Sequence, residues 1–573
     1  MKKTSSLIAS LLVFTLYFSP LGFGVYNISA ATGLNPNLTL AAHNRIVLKN
    51  IQPMQEGFVG NRISPDLFSL MQLSERNANR KVKVIVQSDD INNANLLRFL
   101  NNDKIKVKGK MPRLNMLALE LPIKFIEQLV LSNSNLHVSL DREVKFLGHV
   151  ELTTGTIAAR EQTGNSEFDG SGIGIAVLDS GLFSQHDSFL GTNGNSRIVA
   201  QADFVGDGAE DKNGHGTHVA ALAAGGAGQV NSNLGDYRGV APGANIINVR
   251  VLNASGSSTT SKLIEALDWV LANRTAHNIR VVNLSLGTQA VESYLNDPLC
   301  RAARRLVNAG IVVVAAAGND GKDAQGRKVY GGIHAPGNDP SVITVGATNS
   351  FATDARGDDA VTTYSSRGPT RSFYTGANGV KRYDNLIKPD LVAPGNKLVA
   401  AASQTNHILA NNPALLFRDN GNANTKLMTQ SGTSMAVPVV SGSVAMLLEA
   451  NPNLTPNMVK MILQYSSQPL AGANYFEQGT GELNVEGAVR LAKNIRQDLS
   501  NATPLNTPML TTGLLPQHAS TISGTRFQWS GGIIANYATV TGTSLISGYQ
   551  LIYNTGTILG DGTILGDGTI LGD

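Results

Sequence analysis

Downstream of residue 171 the chain alternates short β-branched runs with longer stretches of helical spacing. The strand-like runs are Ile173–Leu178, Ile246–Leu252, Val281–Leu286, Ile311–Ala316 and Val342–Val345, and the helical stretches are 215–224, 260–274, 291–309, 434–450 and 456–466. The last opens with Thr455 placed to cap it and Pro456 in its first turn, where a missing N–H breaks no helical bond. Runs that are apolar at nearly every position, rather than every second one, belong to strands buried on both faces. Alternating with helices, they predict an α/β domain, a parallel sheet covered by helices on both sides. In such a sheet a site forms at the carboxyl ends of the strands.

Upstream, Val82–Val86 alternates as a strand and Ile91–Leu100 has helical spacing. Asn115–Leu121 is strand-like, Ile123–Leu131 helical and Val138–Val144 again a strand. Residues 76–150 therefore predict a small α+β domain. Residues 32–75 are polar with little periodicity and read as a poorly ordered leader. Before them stand Lys2 and Lys3, an apolar run over Leu7–Phe18, and Ser29-Ala30-Ala31. That order is the order of a secretory signal peptide over residues 1–31, and Ser19-Pro20 interrupts the run before it reaches the length of a membrane span. After about residue 500 the composition turns to Thr, Ser, Gly and Asn. The chain ends in three copies of Gly-Thr-Ile-Leu-Gly-Asp starting at Gly556, Gly562 and Gly568, so residues 501–573 read as a low-complexity tail.

At 573 residues the chain is too long for one compact domain. Its single cysteine, Cys300, excludes an intramolecular disulfide, and its apolar-spaced surroundings make it a core thiol rather than a nucleophile. The net charge of +4 hides an asymmetry: residues 32–150 carry 16 Lys+Arg against 10 Asp+Glu, and residues 151–573 are net acidic. Opposite charge favours association of the two parts. No dense basic patch with interleaved aromatics points to nucleic acid.

Three glycine-marked motifs carry the chemistry: Asp179-Ser180-Gly181, His215-Gly216-Thr217-His218 and Gly432-Thr433-Ser434-Met435-Ala436. They supply a carboxylate, an imidazole and a hydroxyl, the groups that turn a serine into a nucleophile. Each alone is ordinarily a turn, cap or core residue. Together, in the order Asp, His, Ser, they resemble the subtilisin-like serine protease family (peptidase family S8) over roughly residues 165–495. The Ser434 environment is not Gly-x-Ser-x-Gly, which counts against an esterase of the α/β-hydrolase type. His218 follows His215 by three residues without the Glu of a zinc-binding H-E-x-x-H motif, and reads as a packed helix residue.

The resemblance implies a subtilisin-like sheet preceded by a ferredoxin-like prodomain, with catalysis by Asp179, His215 and Ser434 and an oxyanion-binding amide at Asn319. It places the substrate groove along Ser285, Leu286 and Gly287 and along Ala316 and Gly318. It further implies a secreted zymogen that acts on protein or peptide substrates and is inhibited and helped to fold by its own prodomain. Maturation is expected near Leu147–Gly155, and the mature protein is expected to be off the membrane, or held at the cell surface through its tail. The chemistry requires no cofactor. Relatives often bind structural Ca2+, for which Asp203, Asp207 and Asp211, with Glu210 beside them, are the candidates. Tyr364–Pro369 and Lys388–Gly395 match family segments and read as structural, while 350–385 and 403–427 look like insertions at the cleft. Two positions depart from the family pattern, Ala221 and Val439, and both lie outside the catalytic groups. The rival reading is a catalytically silent, protease-shaped binding protein.

Overall fold

The computed structural model describes residues 62–554 except 65–66, 69, 72–77, 133–134, 142–148, 164–167, 227–236 and 501. The expected signal peptide, most of the expected leader and the Gly-Thr-Ile-Leu-Gly-Asp repeats lie outside the described residues. The chain divides into two units, Met1–Val144 and Lys145–Asp573.

The first unit runs β1 (Lys81–Ser88), α1 (Ala94–Leu100), β2 (Lys106–Met111), β3 (Met116–Pro122), α2 (Ile126–Ser132), β4 (Leu136–Leu140). The strands pair antiparallel in the order β2-β3-β1-β4, the ferredoxin-like arrangement. Val82, Val84 and Val86 alternate with exposed or half-buried residues, as do Leu117, Leu119 and Leu121, and the buried sets join Ile126 and Leu129 in one core. β2 was not expected from the sequence. It is an edge strand with Lys106, Lys108 and Lys110 along it, the charged edge that keeps a sheet from pairing onward.

The second unit begins earlier than the expected boundary at 150. The helices His149–Thr153 and Thr156–Arg160 are built into it: the Thr154 carbonyl accepts the Val485 N–H at 2.9 Å, and the buried Arg160 guanidinium donates to the Gly239 and Val240 carbonyls at 3.0 and 2.8 Å. Arg160 also pairs with Glu151. Of the expected maturation stretch, Leu147 and Gly148 lie outside the described residues.

The main sheet has eight strands: β5 (Gly174–Asp179), β6 (Ile198–Asp203), β7 (Asn245–Arg250), β8 (Ile279–Leu284), β9 (Val312–Ala316), β10 (Ile343–Asn349), β11 (Ala360–Val361) and β12 (Leu391–Pro394). Their order is β11-β10-β9-β8-β5-β7-β6, with β12 also paired to β10, and every pair is parallel except β10–β11. Ile175 and Val177 of β5 face one core, shared with α5 (His215–Ala224) and the later helix α8 (Thr433–Ala450). Ala176 and Leu178 face the other, shared with α6 (Thr260–Asn273) and α7 (Pro298–Asn308). Burial on both faces is why the strands read as unbroken apolar runs. The chain leaves β5 toward β6 on one side and returns through β7 to build β8, β9 and β10 on the other, so the strand order reverses at β5.

α8 is 18 residues long and apolar enough to cross a membrane, yet 83% of it is buried inside the unit, as expected of a helix hydrophobic all round. α7 begins at Pro298, later than the spacing suggested, because the Asp297 carboxylate caps the Leu299 and Cys300 N–H groups at 2.8 and 3.0 Å. Cys300 is fully buried, and burial pushes its thiol well above the ordinary range.

Residues 502–554 are not a linker. They form two hairpins, Ala519–Gln528 and Gly532–Thr541, followed by short helical turns. Trp529, Ile533, Ile546, Tyr549 and Tyr553 join the same core as α8, α9 (Pro456–Ser466) and α10 (Val485–Asn494).

Candidate active site

Asp179 is the last residue of β5 and is buried, and His215 is the first of α5. His215 Nδ1 meets Asp179 Oδ1 at 2.8 Å, and the same oxygen accepts the Ser180 N–H at 2.8 Å. With Nδ1 engaged, Nε2 is the ring nitrogen left to face a hydroxyl. Burial pulls the imidazole pKa down, but the charge and hydrogen bond of Asp179, with Asp211 beyond, outweigh it and leave His215 above its ordinary value.

The start of α5 is fixed by Asp211. Its Oδ1 accepts from Ser180 Oγ, Asn213 N and Gly214 N at 2.8, 3.0 and 2.7 Å, and its Oδ2 from Thr217 N and Oγ1 at 2.9 and 2.7 Å. Ser180 Oγ in turn accepts the Gly216 N–H at 2.9 Å. One buried carboxylate thus ties the end of β5 to the first turn of the helix that carries His215. The glycines beside His215 serve this closeness. A Cβ on Gly216 would lie 2.3 Å from the Gly181 carbonyl, and Gly214 has φ +103 with the Asn406 side chain packed against it. Asn406 lies in the polar 403–427 stretch.

α8 starts at Thr433, one residue before Ser434. Thr433 N and Oγ1 both donate to Asn319 Oδ1, at 2.9 and 3.1 Å. With Oδ1 held, the Asn319 NH2 is left to the exposed side of the turn. A Cβ on Gly432 would be 3.6 Å from Asn319 Nδ2 and 3.6 Å from Ser434 N, so the two donors flank one spot. Pro438 shapes the other side of Ser434. It has no N–H to donate to the carbonyl four residues back, which is that of Ser434. The Ser285 hydroxyl takes that place, donating to the Ser434 carbonyl at 2.7 Å. Ser285 is itself held through Asn283 to Ser441, at 3.0 and 2.9 Å. Gln430 Nε2 reaches the Gly214 carbonyl at 3.4 Å, joining the serine turn to the histidine turn. Among the described residues no hydrogen bond joins the Ser434 hydroxyl to His215.

A groove of about 760 Å³ opens beside His215, lined by Ser285–Gly287 on one wall, Ser255–Thr259 on the other and Ile408 of the 403–427 stretch. Of the residues expected to bind substrate, Leu286 and Gly287 line it directly. Ser285 reaches it but spends its hydroxyl on Ser434. Ala316 is buried in the core it shares with α8, and Gly318 is buried with its carbonyl accepting from Thr433 Oγ1 and Ser366 N at 3.2 and 2.9 Å.

The acidic residues before His215 do not fit a calcium site. Asp203 accepts three backbone N–H groups of its own turn, Asp207 pairs with Lys212 and Arg250, and Asp211 is committed to α5. Ser184 donates to Glu210 at 2.7 Å. Among the described residues no group of three or more His, Cys, Asp or Glu side chains is arranged to hold a metal. His218 is fully buried, with Nε2 against the Leu398 carbonyl at 3.1 Å. Burial, then the neighbouring His215, holds its pKa down at about 3, so it is a neutral packing residue. Asp211, Ser180 and the bracing role of Ser285 were not read from the sequence. An acidic residue just ahead of a helix start was the available signal for Asp211.

The chain matches the Subtilase family over residues 170–488. It is 34% identical over 394 residues to serine protease AprX of Bacillus subtilis (strain 168), a match covering 67% of this chain and 81% of that protein. It is 31% identical over 384 residues to an extracellular serine proteinase of Thermus sp. (strain Rt41A), covering 66% of this chain and 77% of that one. Among solved structures, a cold-adapted subtilisin-like serine proteinase aligns with 56% of this chain and 91% of its own at 30% identity, with a TM-score of 0.39.

Proposed function

Because this chain belongs to the subtilase family of serine endopeptidases, we propose that it is exported as a zymogen and cleaves proteins through an acyl-enzyme on Ser434. The observation that carries the reading is the 2.8 Å contact between Asp179 Oδ1 and His215 Nδ1. It engages Nδ1 and leaves Nε2 as the nitrogen that can take a proton. His215 takes the Ser434 proton as the hydroxyl attacks the scissile carbonyl, then passes it to the leaving amine. Asp179 stabilises the imidazolium formed in between. The Asn319 amide and the Ser434 N–H receive the oxygen as it becomes negative. Water then repeats the sequence on the ester. The hydroxyl–imidazole contact closes as substrate fills the groove, a tightening common in free enzymes.

Export is supported by the signal-like N-terminus and by the relative from Thermus, whose name places it outside the cell. The first unit acts as the prodomain, assisting folding and holding the groove until it is cut away, and its basic charge favours binding to the acidic remainder. Ser434→Ala gives a folded precursor that neither processes itself nor hydrolyses casein. Self-processing in that variant would refute the assignment.

A further inference from the structure

The strands Phe373–Thr375 and Lys381–Tyr383 form an antiparallel hairpin that belongs to no larger sheet. From Tyr374 to Tyr383 every residue except Gly376 is exposed. A lone two-stranded hairpin is marginally stable in water, so its root has to be held. The buried Asp384 carboxylate does this, accepting from the Ser293 and Ser372 hydroxyls at 2.6 Å each and from the Tyr294 N–H at 3.1 Å. The Phe373 N–H donates to the Val291 carbonyl at 3.2 Å, and the Ser293 N–H donates to the Phe373 carbonyl at 2.9 Å. Val291 follows Gly287, which lines the groove, by four residues. At full extension that spans about 14 Å, so the hairpin is rooted beside the groove without lining it.

Side chains two apart on a strand share a face, which puts Phe373, Lys381 and Tyr383 together, with Arg371 two residues ahead of Phe373. They stack in the order Arg371, Tyr383, Phe373, Lys381. The guanidinium carbon lies 4.3 Å from the centre of the Tyr383 ring, the two rings are 5.4 Å apart, and Lys381 Nζ lies 4.3 Å from the centre of the Phe373 ring. A ring face attracts a cation without neutralising it, so both charges are held in place with N–H groups still to give. Arg371 gives one to Asn385 Oδ1 at 3.1 Å. Arg382 stands on the other face, opposite Tyr374. Among the described residues no carboxylate pairs with any of these three cations. The segment beside Phe373 brings one exposed carboxylate, Glu292.

Residues 151–573 are net acidic, a charge that repels polypeptide segments rich in Asp and Glu. The hairpin is a local exception. Three cations are few for a nucleic acid or another polyanion, whose binding grows with each charge neutralised. They suit a few carboxylates on a polypeptide whose next residues occupy the groove, because tethering supplies the effective concentration that weak exposed pairs lack. We propose that this hairpin is a docking site, outside the groove, for acidic segments of polypeptide substrates. Arg371 and Lys381 receive the Asp or Glu carboxylates, and the Tyr383 and Phe373 rings keep the two cations in place. The proposal rests on Ser434 being the nucleophile and goes beyond it in naming which polypeptides are cut fastest.

The test uses the processed protein and a quenched fluorogenic peptide with an alanine-rich core. The core carries, at one end or the other, an eight-residue Gly-Ser linker and then four Glu or four Gln. Such a linker spans about 15 Å on average, enough to reach the root of the hairpin from the groove. At low salt the Glu tail lowers KM relative to the Gln tail on the order of threefold to tenfold at one of the two ends, with kcat unchanged. High salt removes the difference. Arg371→Glu combined with Lys381→Glu brings the ratio to one or below and leaves cleavage of the untailed core as it was, while Lys381→Arg keeps the wild-type ratio. Fluorophosphonate labelling of Ser434 counts the active molecules in each sample, so a misfolded variant does not pass for an altered preference. Equal KM for the Glu and Gln tails at both ends, or a preference that survives the double charge reversal, overturns the docking site alone. Heparin that binds wild type but not the reversed variant, while the Glu tail has no effect, also overturns it and assigns the hairpin to anionic polysaccharide. A protein that neither labels at Ser434 nor cleaves the core overturns the docking site and the proteolytic reading together.

Discussion

A histidine half-buried at the start of a helix would ordinarily lose its proton more readily than one in water. At His215 the Asp179 carboxylate reverses that tendency, and the direction has a kinetic consequence. An imidazolium cannot accept a proton, so kcat/KM rises as pH climbs through the raised pKa of His215. The acid limb of the free enzyme therefore lies above the ordinary histidine value. Asp179→Asn removes the charge that holds the limb up, leaving burial to move it to lower pH. Activity at the plateau falls by about 10⁴, the size found for the same change in an unrelated serine-protease triad. A pH profile of kcat/KM checks both parts. Asp179, His215 and Ser434 stood out in the sequence because each stands in a turn whose glycines and order restrict the alternatives. Asp211 did not, since a carboxylate bracing a helix start and one waiting for a cation look alike until their partners are known.

At the scale of elements, the catalytic turn depends on an agreement between α8 and β8. Pro438 withholds the N–H that would satisfy the Ser434 carbonyl, and Ser285 of the segment after β8 supplies a hydroxyl instead. Ser285→Ala leaves that carbonyl without its partner and costs about 1–3 kcal/mol, seen as a lower denaturation midpoint and a slower reaction of Ser434. Pro438→Ala restores a helical N–H at the same carbonyl. The double variant is therefore more stable than the sum of the single effects predicts, a coupling that denaturant unfolding of the four proteins measures directly. β5, β7, β8, β9 and β10 and the helices α5, α6, α8 and α9 were placed from the sequence within a few residues, because burial forces an unbroken apolar run, whereas the short buried strand β12 was not. β2 and β6 were not, since each keeps a solvent face and its apolar positions are interrupted. The start of α7 was set by the Asp297 cap against the apolar spacing that precedes it.

For the molecule as a whole, the site sits where the strand order reverses at β5, with the reacting groups delivered by the carboxyl end of a strand and the first turns of two helices that share one core. That core extends to Tyr553. The stretch after residue 500 looked like a tail because its large apolar residues are few and spaced among Thr, Ser and Gly. A few aromatic side chains nonetheless bury much of the surface that α9 and α10 would otherwise expose. Truncation after Leu499 is thus expected to yield no soluble, active protein. Proteolysis by this chain requires Ser434 to be activated by His215 and Asp179. Incubating the processed protein with a fluorophosphonate and mapping the adduct by peptide mass spectrometry tests this most directly. A single adduct is expected on Ser434, forming rapidly in wild type and at least about a hundredfold more slowly in His215→Ala. An adduct elsewhere, or one on Ser434 that forms equally fast without His215, would contradict it.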